Sequence, residues 1–288
     1  MFKNLSFLFY KILSFFDLII KNFLNRSFLS FFQEFFLNNA YKKIIILDNE
    51  IKFFTPNQLT EYRVNTFFTK EPDMLKWIDG FTKIDNLVFW DIGSNIGLYS
   101  IYNALKNKSS TTISFEPSTS NLRCLSRNIA INNLENRIKI FSLPLTNMEN
   151  EFFLMNESHF TEGGALNTFG QDYNFEGKKF TPEMKYQLLG TTVNYLLDNK
   201  ILDIPDYIKI DVDGIEHLIL EGSNKYLKNK KIKSIIVEIN ENFNEQYKRV
   251  LAIMEKSEFK ILQKEQGLEL SNNRNIKFQK TSNFIFIR

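Results

Sequence analysis

Short apolar runs and amphipathic stretches alternate along the second part of the chain. Five runs are apolar at successive positions, which is typical of parallel strands buried on both faces. They occupy residues 87–92, 111–115, 137–143, 207–212 and 234–239. The stretches between them have helical periodicity and can form the crossovers that parallel strands require. They occupy residues 96–106, 118–131, 192–197, 215–228 and 245–257.

Two further apolar runs, 259–264 and 283–287, end the chain as a hairpin-like pair. Strands that alternate with helices are typical of an open sheet covered by helices on both faces. The pattern therefore predicts one α/β domain over residues 81–288. Its sheet is doubly wound and mostly parallel, with a final antiparallel strand.

One predicted connection is unusually long. Residues 144–191 separate the third strand from the next helix, and compact domains seldom carry such a connection without a function. We interpret it as a lid-like insertion that forms a substrate wall, and a mobile surface insertion is the alternative. Its polar and aromatic stretch makes His159 and Glu162 candidate substrate contacts.

Residues 1–80 form a predicted extension with a helix, a short hairpin at 43–54 and a second helix near 71–81. In the first helix, polar residues recur at steps of three and four, which marks one polar stripe. They are Lys11, Ser14, Asp17, Lys21, Asn22 and Asn25. The opposite face is broad and apolar. It suits either a membrane surface, contacted through residues 1–38, or burial against the domain's own core.

Composition narrows the classes of function. The net charge of +3 is spread along the chain, which argues against a nucleic-acid partner. One cysteine and two histidines exclude a disulfide framework and a cysteine- or histidine-rich metal site. Charged residues interrupt every long apolar run, and no secretory signal pattern is present. The sequence predicts a cytoplasmic protein with peripheral membrane contact as an option, and it does not indicate the oligomeric state.

The end of the first predicted strand carries a glycine-containing loop from Asp91 to Gly97. Gly93 and Gly97 allow a tight turn and a close approach of a ligand to the backbone. Glu116 ends the second strand and can accept hydrogen bonds from both hydroxyls of a ribose. Ligands of open α/β sheets bind at the carboxyl ends of the strands, so these residues predict a nucleoside cofactor.

The loop distinguishes between two classes of nucleoside cofactor. A dinucleotide loop has glycine at the third and sixth positions, where this chain has Asn95 and Leu98. S-adenosylmethionine has no phosphate and needs neither glycine. Asp91 and Asn95 can serve its amino-acid end, so the loop favours S-adenosylmethionine and disfavours a nicotinamide oxidoreductase.

A second polar cluster follows the fourth strand. Alternation along the strand places Asp211 and Asp213 on one side, and His217 follows in the first turn of the next helix. His217 is the predicted catalytic base, because its unperturbed pKa of about 6.5 is near neutrality. Asp211 or Asp213 would orient it, or would hold a divalent cation, which the pattern permits but does not require. Glu238 ends the fifth strand and is a further candidate substrate contact.

Several motifs occur in the order found in one known family. They are FWDIGSNIGLYS, FEPSTSNLRCLSRNIAINNL, TTVNYLLD, YIKIDVDGIEHLILEGS and IIVEIN. Over residues 87–262 the chain resembles the FkbM-like family of S-adenosylmethionine-dependent methyltransferases, although Asp213 stands where the family commonly has glutamate. The resemblance implies a class I methyltransferase (Rossmann-like) fold with a seven-stranded sheet. The cofactor-binding residues it implies are Asp91, Gly93, Asn95, Gly97, Glu116 and Asp211.

These observations together predict a methyltransferase that acts on oxygen. The expected acceptor is a small molecule or a glycan, with the methyl group placed on a hydroxyl of a glycan, glycolipid or other secondary metabolite. The alternative is a non-catalytic nucleoside-binding module that the first helix recruits to a membrane or a complex.

Overall fold

The computed structural model describes residues 2–265 and 280–288. The helices are α1 Phe2–Leu24, α2 Leu29–Asn39, α3 Gln58–Asn65, α4 Pro72–Asp79, α5 Leu98–Lys106, α6 Thr119–Ile131, α7 Val193–Asp198, α8 Glu216–Glu221 and α9 Asn244–Lys256. The strands are β1 Tyr41–Ile46, β2 Asn49–Phe54, β3 Val88–Ile92, β4 Thr111–Phe115, β5 Ile138–Phe141, β6 Glu151–Glu157, β7 Thr168–Phe169, β8 Met184–Gly190, β9 Tyr207–Ile210, β10 Ser234–Asn240, β11 Lys260–Glu265 and β12 Thr281–Ile287.

Seven strands form the central sheet in the order β11-β12-β10-β9-β3-β4-β5. Strands β3, β4, β5, β9 and β10 pair in parallel, whereas β12 runs antiparallel to both of its neighbours. The predicted mostly parallel sheet with a reversed last strand is confirmed. The strand order changes direction between β3 and β9, and such a switch point is where open α/β sheets bind ligands.

Side chains along β3 alternate between two cores. Trp90 and Ile92 pack with residues of α7 and α8 on one face, and Phe89 packs with residues of α4 and α5 on the other. Helices therefore cover both faces, which is why the strands are apolar at successive positions. Asp91 points to the same face as Phe89 and is fully buried there.

The hairpin of the extension is part of this second core. β1 and β2 pair antiparallel, and Asp48 adopts a left-handed backbone in the turn. Phe53 and Phe54 are fully buried in the same cluster as Phe89. The backbone amide of Phe54 also donates to Asn128 Oδ1 of α6 (2.7 Å). The predicted boundary at residue 80 stays a prediction.

The first two helices differ from the rest of the fold. Neither α1 nor α2 contains a buried residue. Asp17 joins them, because its carboxylate accepts hydrogen bonds from the amides of Phe28 and Leu29 at the start of α2 (2.7 and 3.1 Å). No helix within residues 2–265 or 280–288 has the length and apolarity needed to cross a membrane.

The insertion at 144–191 contains a small sheet of its own. β6 pairs antiparallel with β8 along its whole length and with β7 at one end, giving the order β7-β6-β8. Met155 and Phe169 from this sheet belong to the core cluster of the domain. The insertion is therefore packed against the central sheet.

Candidate functional site

A cavity of about 620 Å³ opens at the carboxyl ends of β3, β4 and β9. The sheet side is formed by the loops after these strands, including Gly93, Asn95, Glu116 and Asp211. The insertion forms the opposite wall through Gly164, Ala165 and residues 167–169, with Met155 beside them. The predicted polar loops therefore meet in one cavity, and the insertion covers it.

The glycine loop is held close to β9. Gly93 has φ +81°, and a Cβ atom there would lie 1.8 Å from the carbonyl oxygen of Asp211. Only glycine tolerates both conditions. Asn95 also has a left-handed backbone (φ 51°), which asparagine adopts more readily than most residues. Gly97 lies outside the cavity lining and is the N-cap residue of α5, where a Cβ would meet Leu125 at 2.6 Å.

Glu116 is buried at the edge of the cavity. Its carboxylate accepts hydrogen bonds from the backbone amides of Asn95 (2.7 Å) and Ser118 (2.9 Å). Burial raises the pKa of Glu116 to about 7, although these amides oppose the shift. Additional hydrogen-bond donors, such as hydroxyl groups of a ligand, would favour the ionised form of Glu116 and lower this pKa.

Two asparagines connect the glycine loop to the insertion. The side-chain amides of Asn95 and Asn121 both donate to the carbonyl oxygen of Gly164 (2.7 and 3.1 Å), and Asn121 Oδ1 accepts from the Gly163 amide (2.9 Å). Asn95 Oδ1 is buried and has no partner among the described residues. Asn121 was missed in the sequence, where it is one polar residue of an amphipathic helix.

Asp91 lies beneath the cavity and does not line it. Its carboxylate accepts from the Ser100 hydroxyl (2.6 Å) and pairs with Lys209 Nζ (3.2 Å). Lys209 also pairs with Asp211 (3.3 Å) and donates to the Gly93 carbonyl (3.1 Å). Although Lys209 is only 1% exposed, the two carboxylates hold its pKa above the usual value.

Lys209 was not predicted as a site residue. The signal in the sequence is a lysine inside the apolar run YIKI. Parallel register places Lys209 beside Asp91, and alternation places it on the same side as Asp211. The lysine therefore links both predicted carboxylates to the glycine loop.

Three carboxylates converge beside the cavity. Asp211, Asp213 and Glu238 each have an oxygen within 4.8 Å of the other two. Burial and the neighbouring Asp211 charge raise the pKa of Asp213 to about 6, although the Leu166 amide donates to it (2.6 Å). Burial and the same neighbour raise the pKa of Glu238 well above its usual value. Acidic groups often cluster without a metal, and we assign no ion to this one.

His217 does not reach the cavity. The side chain is 1% exposed and packs edge-on against Phe243 of the α9 N-terminus (ring centroids 6.0 Å apart). Burial lowers its pKa to about 4. The structure thus corrects the expectation that His217 is the base, because an acceptor in the cavity cannot contact it. The neighbouring Glu216 instead accepts from the amides of Val212 (3.0 Å) and Gly214 (3.2 Å) and stabilises the turn that carries Asp213.

The two predicted substrate contacts of the insertion also lie outside the cavity lining. His159 is exposed and pairs with Glu183 (2.9 Å). Glu162 pairs with Arg123 of α6 (2.7 Å) and helps to fasten the insertion. Of the three predicted substrate contacts, Glu238 is the one that the structure places beside Asp211 and Asp213.

A second chamber of about 480 Å³ adjoins the first. The two share Gly93, Asn95 and Asp211. The second is lined on its other side by the extension, through Arg63 of α3 and Lys70. The extension thus supplies Arg63 and an ion pair between Lys70 and Glu71 (2.9 Å) to the site, which sequence reasoning missed because nothing local connects residue 63 with residue 93.

Comparison of the chain with models of known families gives one match. The model of the methyltransferase FkbM domain matches residues 91–261, which is more than half of the chain. The chain belongs to the FkbM methyltransferase family. The recognition from sequence is confirmed, and the chain is an S-adenosylmethionine-dependent methyltransferase of this family.

Other comparisons give distant likenesses. A precorrin-6y methyltransferase from Geobacter metallireducens is 13% identical, with TM-score 0.42, over 76% of this chain and 86% of that one. TrmK of M. capricolum, in complex with S-adenosyl-homocysteine, is 13% identical, with TM-score 0.40, over 74% of this chain and 66% of that one. No curated protein matches the sequence. Membership of the FkbM family rests on the domain match.

The cavity of this FkbM domain fits the cofactor of its family. Glu116 offers buried carboxylate oxygens to hydrogen-bond donors, and Asn95 Oδ1 is a buried acceptor without a partner among the described residues. The cavity is largely apolar between these groups, with Phe115, Leu143 and Phe169 in its walls. A nucleoside needs such an apolar slot with a few placed polar groups.

Proposed function

We propose that this FkbM protein is an O-methyltransferase that acts on a hydroxyl of a glycan, glycolipid or other secondary metabolite. The observation that supports it best is the position of Asp211 and Asp213 in the wall of the same cavity as Glu116. Carboxylates are acceptors for O–H donors, so an acceptor hydroxyl can be held beside the cofactor site. The bound cofactor would supply an electrophilic methyl group.

We assign the parts of the cofactor to the two chambers. Glu116 would accept hydrogen bonds from the ribose hydroxyls in the first chamber. Arg63 would attract the carboxylate of the amino-acid end in the second chamber, whereas Lys70 beside it is already paired with Glu71. The reacting centre would then lie near the shared residues Gly93, Asn95 and Asp211, next to Asp213.

Asp213 is the proposed base for the hydroxyl proton. It is half-buried, lines the cavity, and has a pKa raised to about 6, which suits proton transfer near neutrality. Asp211 is already paired with Lys209, and its role would be to position the hydroxyl. Most of the rate would come from this positioning, which can lower a barrier by about 7–11 kcal/mol.

The first test is ligand selectivity. Calorimetry should detect binding of S-adenosylmethionine and S-adenosylhomocysteine but not of NAD, because Asn95 and Leu98 replace the glycines of a dinucleotide loop. Methyl-labelled cofactor with a panel of sugars, glycolipids and hydroxylated metabolites should then yield a labelled methyl ether. Binding without any transfer would favour the nucleoside-binding module, and transfer to nitrogen or carbon would refute O-methylation.

Cofactor affinity should depend on pH through Glu116. The ribose hydroxyls would donate to the carboxylate and so favour its ionised form, whereas the free group has a pKa of about 7. Protons therefore compete with the cofactor, and the dissociation constant should rise up to about tenfold per pH unit below 7. Calorimetric titration with S-adenosylhomocysteine between about pH 5 and 8 measures this.

Glu116→Gln provides the matched variant for that titration. It keeps the shape of the side chain but removes its charge, and its amide nitrogen would face one of the two backbone amides from which the carboxylate accepts, so binding should weaken by about 10- to 100-fold. The remaining affinity should not change with pH, whereas the surface variant Glu258→Gln should behave like the parent protein. A parent affinity that is constant across this range would contradict the assignment of Glu116.

A further inference from the structure

The first two helices present an apolar surface that the other described residues, within 40–265 and 280–288, leave uncovered. None of the 23 residues of α1 and none of the 11 residues of α2 is buried. The exposed apolar side chains of α1 include Leu5, Leu8, Phe9, Ile12, Phe15, Phe16, Ile19 and Phe23. Those of α2 are Phe31, Phe32, Phe35 and Phe36. Surfaces of this kind are rare in soluble monomers unless they bind something.

The orientation of α1 is opposite to that of a helix covering its own domain. Its contact with the chain that follows is made through the polar stripe, where Asp17 accepts from the Ser27 hydroxyl and the Phe28 amide. Asp17 is only partly exposed, whereas Phe9 and Phe16 on the other face are exposed. The alternative that α1 covers the core therefore does not hold.

The charged residues of these two helices indicate what kind of partner would cover them. The two helices and the turn between them carry Lys3, Lys11, Lys21 and Arg26 against two acidic residues, Asp17 and Glu34. The net charge of this segment is therefore +2, and the Asp17 carboxylate is turned toward the start of α2, where it accepts from the Phe28 and Leu29 amides. The three lysines lie along the whole length of α1, opposite the apolar face. A positive stripe along one side and phenylalanines on the other match a membrane surface with anionic headgroups.

We propose that α1 and α2 bind the surface of an anionic lipid membrane, with α1 lying in the plane of the interface. The apolar face would enter the acyl boundary, and the long lysine side chains would keep their ammonium groups among the headgroups. A second copy of the chain could cover the apolar face, but the lysines would then point away from the partner, and the positive stripe would play no part in the contact. This inference does not depend on the proposed methyl transfer.

Flotation of the full chain with vesicles tests the proposal. Binding to phosphatidylcholine vesicles should increase about tenfold or more when phosphatidylglycerol is included, and high salt should remove that gain. Phe9→Ser should weaken binding to the mixed vesicles by about tenfold, because it removes an aromatic ring that would be buried in the membrane. Cofactor binding should be unchanged in this variant, which shows that the domain is folded.

Phe7→Ser is the matched control, since Phe7 and Phe9 are 58% and 59% exposed. The Phe7 ring lies on the polar side under Lys11 Nζ (5.3 Å), so its loss should change binding less than about threefold. Equal effects of the two variants, or no flotation, would overturn the proposal. A lipid-free dimer that Phe9→Ser converts to monomer would overturn it in favour of a second copy.

Discussion

Asp213→Asn is expected to slow methyl transfer by about 10²- to 10⁴-fold, the usual contribution of a placed base. The substitution removes the charge but keeps the shape, and asparagine tolerates the left-handed backbone at this position (φ 62°). Its side-chain oxygen can still accept from the Leu166 amide, as Asp213 Oδ2 does. The affinity for S-adenosylhomocysteine should therefore stay within about threefold of the parent value.

The pH profile makes this prediction specific. The base must be ionised to accept a proton, and the pKa of Asp213 is raised to about 6. The turnover rate of the parent protein should therefore be constant above about pH 7 and fall about tenfold per unit below 6. Asp213→Asn should lack this decline, because the residual rate needs no ionised group at position 213.

Asp48→Asn is the matched control. It makes the same chemical change at the same backbone conformation (φ 64°) in the exposed hairpin turn between β1 and β2. The rate should be unchanged, and a chelator should not affect the parent protein. A rate that chelation abolishes and Mg²⁺ restores would assign the three carboxylates to a cation, and unaltered turnover in Asp213→Asn would exclude Asp213 as base.

The central sheet could be predicted because its strands are buried on both faces. Residues 111–115 coincide with β4, and β3 and β10 differ from the predicted runs by one residue at an end. The helix ends were harder to predict. Residues 215–228 were expected to form one helix, but α8 ends at Glu221. The next residue, Gly222, passes so close to Thr146 that a Cβ would lie 2.2 Å from its carbonyl oxygen, so only glycine fits there.

The site was predictable to the extent that it depends on strand ends. Glu116 and Asp211 meet in one cavity because parallel strands end at the same edge of the sheet. The prediction that His217 is the base was wrong because successive helix residues point about 100° apart. In the first turn of α8, Glu216 faces the 212–214 turn and His217 faces Phe243 of the α9 N-terminus. The sequence does not fix the phase of so short a helix.

The walls of the site depend on contacts between distant segments. β6 pairs with β8 across an intervening stretch of more than twenty residues, and neither strand has a strong pattern of its own. The side chains of Asn95 and Asn121 position the insertion through the Gly164 carbonyl. Asparagine makes such contacts in too many settings for its presence alone to predict this one.

Lys209→Met is expected to lower the free energy of unfolding by about 3–5 kcal/mol, the usual cost of removing one partner of a buried ion pair. Lys209 is 1% exposed and Asp91 is fully buried, so the variant would leave the Asp91 charge without a cation. Methionine is similar in length to lysine, so the packing changes little. The decrease in the free energy of unfolding therefore measures the effect of the unpaired charge. Urea unfolding followed by tryptophan fluorescence and far-ultraviolet circular dichroism measures it.

A double variant separates the buried charge from other effects. Asp91→Asn in the Lys209→Met background removes the unpaired carboxylate and should recover at least about half of the lost stability. Lys230→Met is the control, since Lys230 is 77% exposed and its pair with Glu258 should contribute less than about 1 kcal/mol. If Lys209→Met costs no more than Lys230→Met, the lysine between Asp91 and Asp211 does not hold the site together. The cofactor should also bind more weakly to Lys209→Met than to the parent, because Lys209 donates to the Gly93 carbonyl and fixes the glycine loop.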